Sequence, residues 1–274
     1  HDIWPNTWQK NTTSGYIGTT VNWTWKLITR QTMQAMILAA GLGTRLKPIT
    51  DKLPKALIPV RSSDGSQGPL LGLLLDKMYD QGVTRVVVNV HHFAAQIKTY
   101  LNEYQKQKEI PLQIAVSDES PLLLDTGGAV REARLLLDPR EPFMIHNVDI
   151  LSNLRLDDFF ACHRASDLAT LLVSQRNTPR QLIFDRHRHL TGWTNTQTKE
   201  IRWVGEPCKM KDCMMRAFAG IHIMSPGAMS LMEPWPRVFS VIDFYLESAR
   251  FQVIRGVEIP GLEITDIGKP KTLD

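Results

Sequence analysis

The sequence predicts an α/β fold: a doubly wound, mostly parallel sheet with a small β-hairpin insertion. Strand-like and helix-like patterns alternate from residue 34 to residue 174, the order that gives parallel strands joined by right-handed helical crossovers. Residues 84–90 are a valine-rich run of the kind that forms a strand covered on both faces. The first apolar run, 34–40, feeds directly into a loop holding Gly41 and Gly43. In doubly wound sheets ligands sit beyond the carboxyl ends of the strands, which is where that loop falls.

The elements follow in order. Residues 34–40 read as a buried strand and 69–81 as a helix with leucines at helical spacing. After the strand 84–90, residues 93–104 carry an amphipathic helical pattern, 112–116 a strand and 127–137 a helix. Residues 143–147 form another buried strand, 156–164 a helix and 169–174 a strand. Between 177 and 215 the pattern breaks into short polar pieces around Gly192 and Trp193, read as hairpins at one side of the sheet. Residues 217–224 return as a strand, 238–250 as a helix, and the chain closes through Gly261 to Asp274. No internal repeat or low-complexity tract interrupts this order.

A chain of 274 residues can bury a large core, and 43% hydrophobic with 22% charged residues is an ordinary globular balance. No uninterrupted apolar run reaches membrane-spanning length, which argues against a transmembrane helix or a membrane partner. The net charge of +4 is spread without a dense Lys/Arg block, favouring small anionic ligands over nucleic acid. Cys162, Cys208 and Cys213 are odd in number and lack CxxC spacing. They fit a reducing compartment better than a disulfide framework or a zinc site, so the expected location is cytoplasmic.

Residues 1–32 read differently. They hold four of the seven tryptophans and many Asn and Thr, with no sustained periodicity and no signal-peptide pattern. We expect a non-native-looking or disordered extension there, with the functional domain over 33–274. The glycosylation-type triplets Asn11-Thr12-Thr13 and Asn22-Trp23-Thr24 are read as chance matches.

The most informative segment runs from Met36 through Ala39-Ala40-Gly41-Leu42-Gly43-Thr44-Arg45-Leu46-Lys47-Pro48 to Thr50 and closes with Pro54-Lys55-Ala56-Leu57. Glycines let the chain turn tightly and bring bare amides against a ligand, which suits a phosphate. Arg45 and Lys55 supply cations for charge that a triphosphate cannot lose. The segment is not a dinucleotide fingerprint, because Leu46 stands where its third glycine would be, and no Gly-Lys-Ser/Thr makes it a Walker loop.

This string resembles the signature of the sugar-1-phosphate nucleotidyltransferases, and the resemblance runs from about Met33 to the C-terminus. Within that family the chain is most similar to short, single-domain uridylyltransferases acting on N-acetylmuramic acid 1-phosphate. The resemblance implies a Rossmann-like nucleotide-diphospho-sugar transferase fold. The nucleotide-binding residues read from the loop are Ala39, Ala40, Gly41, Gly43, Thr44 and Arg45, with Arg45 and Lys55 as the catalytic cations.

Asp149 follows the apolar strand ending His146-Asn147, and Asp266 follows a strand-like run near the C-terminus. Two carboxylates at one site suit Mg²⁺, and the resemblance assigns metal binding to these two positions. Either aspartate alone reads equally as a turn or helix-cap residue. Thr126-Gly127-Gly128 opens a helix whose free amides suit a base or sugar hydroxyls, and the resemblance places these three against the nucleoside. Glu119 reads as an acceptor for a base N–H or as a solvated loop carboxylate. Gly220 resembles the family's glycine beside the sugar ring, and reads equally as a strand glycine that relieves packing. His91 and His92 read as loop histidines rather than a chelating pair, since neighbours on an extended segment point to opposite sides. Trp193 reads as a core aromatic in preference to a sugar platform.

Many members of that family carry a mid-chain Glu-Lys-Pro whose lysine holds the sugar phosphate; this chain lacks it, as the short uridylyltransferase subgroup does, and Arg176, Arg180 and Lys209 are the alternatives. The resemblance also implies a last helix beyond Pro270, so the C-terminus reads as truncated. The expected reaction is NTP, with UTP favoured, plus sugar 1-phosphate giving NDP-sugar and pyrophosphate. Its partners are thus a nucleoside triphosphate and a sugar 1-phosphate, and the oligomeric state stays open. Alternatives are a mannose or heptose 1-phosphate guanylyltransferase, a glucose 1-phosphate thymidylyltransferase, a phosphocholine cytidylyltransferase, or a non-catalytic nucleotide-sensing relative.

Overall fold

The computed structural model describes residues 33–62, 65–108, 110–207 and 210–268. The expected extension 1–32 with its two triplets, Lys209, Cys208 and the tail from 269 lie outside the described residues.

The described residues begin with β1 (Met33–Leu38), whose side chains are almost wholly buried. A short hairpin, β2 (Pro59–Arg61) and β3 (Gln67–Pro69), leads into α1 (Leu70–Asp80). Then come β4 (Val83–Val90), α2 (Ala94–Lys108), β5 (Gln113–Asp118), α3 (Asp125–Glu132) and β6 (Phe143–Asn147). β7 (Ile150–Ser152), α4 (Leu156–Ala161) and β8 (Asp167–Ser174) follow. β9 (Arg180–Phe184), β10 (Leu190–Asn195) and β11 (Glu200–Trp203) make the insertion. The remainder is β12 (Met214–Met224), α5 (Ala228–Met232), α6 (Val241–Ser248), β13 (Val253–Val257) and β14 (Ile264–Asp266).

The central sheet runs β5-β4-β1-β6-β12-β8-β13. β1 is parallel to β4 and β6, β4 to β5, and β13 to β8. Only β12 runs against its neighbours β6 and β8. Alternate residues of β1 serve different cores: Ala35 and Ile37 pack with α1 and α2, while Met36 packs with α3 and α6 on the other face. That two-sided burial is why β1 and β4 read as apolar runs without alternation. The first residues of β12 pair with β9, so the antiparallel β9-β10-β11 meander branches from the sheet at that strand.

Several details correct the sequence reading. The helix expected over 127–137 starts at Asp125 and turns 3₁₀ from Ala133 to Leu136. The strand expected to 40 ends at Leu38, and Ala39 and Ala40 belong to the loop. β13 is an internal-length strand in the sheet where only a closing loop was expected. Cys213 is disulfide-bonded, against the expectation of a chain without disulfides, and Cys162 is free. Among the described residues no helix is long and apolar enough to cross a membrane.

Candidate active site

The carboxyl ends of β1, β4, β5 and β6 meet at a cavity of about 460 Å³. Ala40, Gly41, Lys55, Glu119, Thr126 and Asp149 line it, together with Leu38, Asn89, Leu123, Asp125, Asn147, Val148 and Val238. Six of the sequence-read residues are thereby brought to one cavity. Ala39, Gly43, Thr44, Arg45, Gly127, Gly128, Asp266 and Gly220 stand outside that lining, for different reasons.

The loop after β1 is anchored at its start. The Ala39 N–H donates to Asn89 Oδ1 at 2.7 Å, which takes that amide from any ligand. Gly41 is exposed, and a Cβ built on it would meet nothing within 4 Å. Gly43 adopts φ 64°, the left-handed region that favours glycine. Its carbonyl accepts from the Leu46 N–H at 2.8 Å and from Thr50 Oγ1 at 2.9 Å, so Gly43 shapes the turn. Thr44 and Arg45 ride exposed on the following 3₁₀ turn and do not line the cavity. Lys55 sits in a later 3₁₀ turn, is 9% exposed, and forms an ion pair with the Asp149 carboxylate.

Asp149 and Asp266 come together although 117 positions separate them in the sequence. β14 pairs with β7 so that Asp266 lies opposite Ile150, and the Ile267 N–H donates to the Asp149 carbonyl at 2.9 Å. A Cβ built on Gly268 would stand 2.8 Å from Lys55 Nζ, 2.9 Å from Asp149 Oδ2 and 2.9 Å from Asp266 Oδ1. All three charged groups therefore converge on one point. The donor set fits a magnesium-type ion, which takes one or two protein carboxylates and completes its shell with phosphate oxygens and water. No group of three or more His, Cys, Asp or Glu suited to a metal occurs among the described residues.

The Thr126-Gly127-Gly128 segment requires a correction. Its glycine amides are not free: Gly127 and Gly128 N–H both donate to the Phe239 carbonyl, at 2.9 and 3.2 Å. A Cβ on Gly127 would come 2.3 Å from the Phe239 ring, and one on Gly128 2.5 Å from the Arg237 carbonyl oxygen. These glycines admit the 237–239 segment against α3, and the close approach is by the protein's own backbone. Thr126 lines the cavity while its hydroxyl accepts from the Val241 N–H at 2.9 Å.

Glu119 is 2% exposed, which removes the solvated-loop reading. Its two oxygens accept from Asn89 Nδ2 at 2.8 Å and the Leu124 N–H at 3.2 Å. Burial pushes its carboxyl up from the ordinary glutamate value. Asn89 thus joins the exit of β1 to the buried carboxylate. Sequence reading missed it, although a lone asparagine within Val86-Val87-Val88-Asn89-Val90 was a signal. Asp125 was also missed. It borders the cavity with φ 59°, uncommon for a residue with a side chain, and caps its neighbour by accepting from the Thr126 N–H at 2.5 Å.

Gly220 lies behind the cavity wall, at φ 77° in β12, where a Cβ would approach the Asn147 amide to 2.7 Å. Of the alternative cations among the described residues, Arg176 lies 3.8 Å from Asp266, with its Nη2 3.4 Å from the Phe218 carbonyl and its Nε buried without a hydrogen-bond partner. Arg180 is exposed at the start of β9, opposite Asn195, away from this group. His91 is a loop histidine whose Nδ1 pairs with the Glu119 carbonyl at 2.7 Å. Trp193 packs on the core, with Arg202 over its ring.

A family model for nucleotidyl transferases matches residues 34–182. The N-acetylmuramate alpha-1-phosphate uridylyltransferase of Caulobacter vibrioides is 38% identical over 115 residues, 42% of this chain and 45% of its own length. The mannose-1-phosphate guanyltransferase of Hypocrea jecorina is 26% identical over 243 residues, 87% of this chain and 62% of its own length. The chain therefore spans roughly half to three fifths of these curated relatives. In fold it is similar to HddC from Yersinia pseudotuberculosis complexed with GMP-PN, at TM-score 0.65 and 22% identity over 88% of this chain and 96% of that one. It is likewise similar to UDP-glucose pyrophosphorylase from Acinetobacter baumanii, at TM-score 0.67 and 16% identity over 89% and 91%. With its glycine loop and converging Lys55, Asp149 and Asp266, the chain belongs to the nucleotidyl transferase family, that of the sugar-1-phosphate nucleotidyltransferases.

Proposed function

We propose that this protein transfers a nucleotidyl group from a nucleoside triphosphate, UTP in first place, to a sugar 1-phosphate, releasing pyrophosphate. The observation that carries the reading is the convergence of Lys55, Asp149 and Asp266 beside the cavity, at the carboxyl end of a parallel sheet. The base would lie over Glu119, Asp125 and Thr126, and the triphosphate along Gly41 toward Lys55, with Arg45 closing over it from the exposed turn. Pyrimidine preference is supported by the 38% identical uridylyltransferase. The guanyl alternative is supported by the mannose-1-phosphate guanyltransferases, which match 87% of the chain.

The reaction needs no general base. The acceptor's phosphate has its second pKa near ~6, so one of its oxygens is already anionic at pH 7. That oxygen forms a bond to the α-phosphorus while the bond from the α-phosphorus to the bridging oxygen breaks, and pyrophosphate leaves with the electron pair. The protein's work is positioning and charge neutralisation. Lys55 would hold the reacting phosphates, the glycine loop the chain of phosphoryl groups, and Asp149 with Asp266 the metal. A magnesium-type ion bound there would neutralise developing charge on the phosphate oxygens.

The test is pyrophosphate release with Mg²⁺, crossing UTP, dTTP, GTP and CTP against N-acetylmuramate, glucosamine, glucose and mannose 1-phosphates and phosphocholine. Turnover concentrated in the UTP column supports the first reading, and in the GTP column the second. Silence in every combination, from folded protein that binds nucleotide, points to the non-catalytic relative.

A further inference from the structure

The Lys55 ammonium lies against the Asp149 carboxylate and close to that of Asp266, the two carboxylates that a metal ion needs. Asp149 Oδ2 and Asp266 Oδ1 stand near one point with Lys55 Nζ, and the side chains of all three are largely shielded: 10% exposed for Lys55, 17% for Asp149 and 18% for Asp266. Two carboxylates so close in a low-dielectric pocket repel, and an uncompensated buried charge is costly. A cation must offset them when no metal is bound; the ammonium does so against Asp149, while the Arg176 guanidinium stands 3.8 Å from Asp266.

Lys55 also lines the cavity, together with Gly41, Ala40 and Asp149 itself. Its ammonium therefore has two anionic partners within reach of one flexible stem: the carboxylates, and the phosphates that would occupy the cavity. A four-carbon stem with a compact charge can exchange one for the other without backbone movement. Its own turn stays fixed, since Ala56 is fully buried and the Leu57 and Ile58 amides bond back to Pro54 and Lys55.

We infer that Lys55 is the resident cation of this site: it occupies the metal position until bound nucleotide draws it away, so that nucleotide and divalent ion enter as a coupled pair. The inference rests on the functional reading above for the identity of the second partner. Without nucleotide, a divalent ion must displace the ammonium and binds weakly. With phosphates in the cavity, Lys55 moves onto them and the carboxylates are released. By linkage the effect is reciprocal, so the metal tightens nucleotide binding by the same factor.

The test reads metal binding directly, from loss of the free Mn²⁺ electron paramagnetic resonance signal in nucleotide-free protein. K55Q should bind Mn²⁺ at least about tenfold more tightly than wild type, within the usual range of such couplings. K55R, which keeps the charge, should stay as weak as wild type, and the gain should vanish in K55Q/D149N. K55M replaces K55Q should that variant not fold. Wild-type protein gives a separate readout: the ¹⁵Nζ resonance of Lys55 should hold its position in millimolar MgCl₂ alone and move when UTP or GTP is added with it. Equal or weaker Mn²⁺ binding by the neutral variants, or a Lys55 resonance that moves with MgCl₂ alone, overturns the inference. Because the Mn²⁺ series needs no turnover, its failure is distinct from silence in the substrate grid.

Discussion

Two glycine-bearing turns border the same cavity, and they use their glycines in opposite ways. The turn after β1 leaves Gly41 open to solvent, with nothing within 4 Å of where its Cβ would stand, and follows it with exposed Arg45 and the ion-paired Lys55. The start of α3 buries Gly127 and Gly128 under Phe239 and Arg237 and commits both amides to one carbonyl. On paper the two segments look alike: an apolar run, then glycines, then a helical turn. The difference teaches that glycine signals a close approach without saying what approaches. At the turn after β1, the proposed phosphate side, the space beside Gly41 is open, and at α3, the proposed nucleoside side, it is filled by the chain itself.

The largest effect should come from the phosphate side. D149N and D266N should each lower turnover by about 10²–10³-fold, the order of loss when a group stabilising transition-state charge is removed. Pyrophosphate release measures the loss, and circular dichroism checks that the fold persists. Near-wild-type turnover in either variant would remove the carboxylates from the chemistry and leave only the open glycine loop on that side.

The next prediction sets the two turns against each other. G127A forces a methyl group onto the Phe239 ring and should cost about 1–3 kcal/mol of stability, as overpacking does. G41A meets no neighbour and should change stability by less than about 0.5 kcal/mol, while weakening nucleotide binding where the backbone approaches phosphate. Urea unfolding and nucleotide titration of both variants measure the contrast. If G127A unfolds like wild type and loses nucleotide instead, the reading of free amides at α3 returns and the comparison collapses.

Much of this was legible in the sequence, for reasons tied to particular residues. The two-sided burial of β1, β4 and β6 needs continuous apolar runs, so those strands showed themselves and β6 matched at both ends. The glycine loop and Lys55 were visible because those residue types stand close together in a short signature string. What stayed hidden depended on distant partners. Nothing near Gly127 reveals that Phe239 will pack on it, because the two lie 112 positions apart. β13 was hidden because its Gly256 breaks the β-branched pattern; there a Cβ would strike the Phe184 ring at 2.7 Å. Asn89 was hidden inside an apolar run, its role visible only once Ala39 and Glu119 flank it.

The last prediction separates the fold from the site. His146 and His222 lie behind the cavity floor, one beside Asn147 and the other two residues past Gly220, and both are 2% exposed. Burial pushes His146 down to about 4 and His222 down to about 3, the latter with Tyr245 Oη 2.9 Å from its Nδ1. The unfolded chain takes up these protons near pH 6.5 and the folded chain does not, so the unfolded state binds more protons as the pH falls below that value. Stability is therefore full above pH 6.5 and declines on acidification toward pH 4, by about 1 kcal/mol per histidine already at pH 6. H222Q should flatten that decline by about half of the histidine share, read from melting temperature between pH 7.5 and pH 5.5. If acid instead lowers turnover while leaving the melting temperature unchanged, the titrating group belongs to the cavity, and the contrast between an open phosphate side and a packed interior must be redrawn around it.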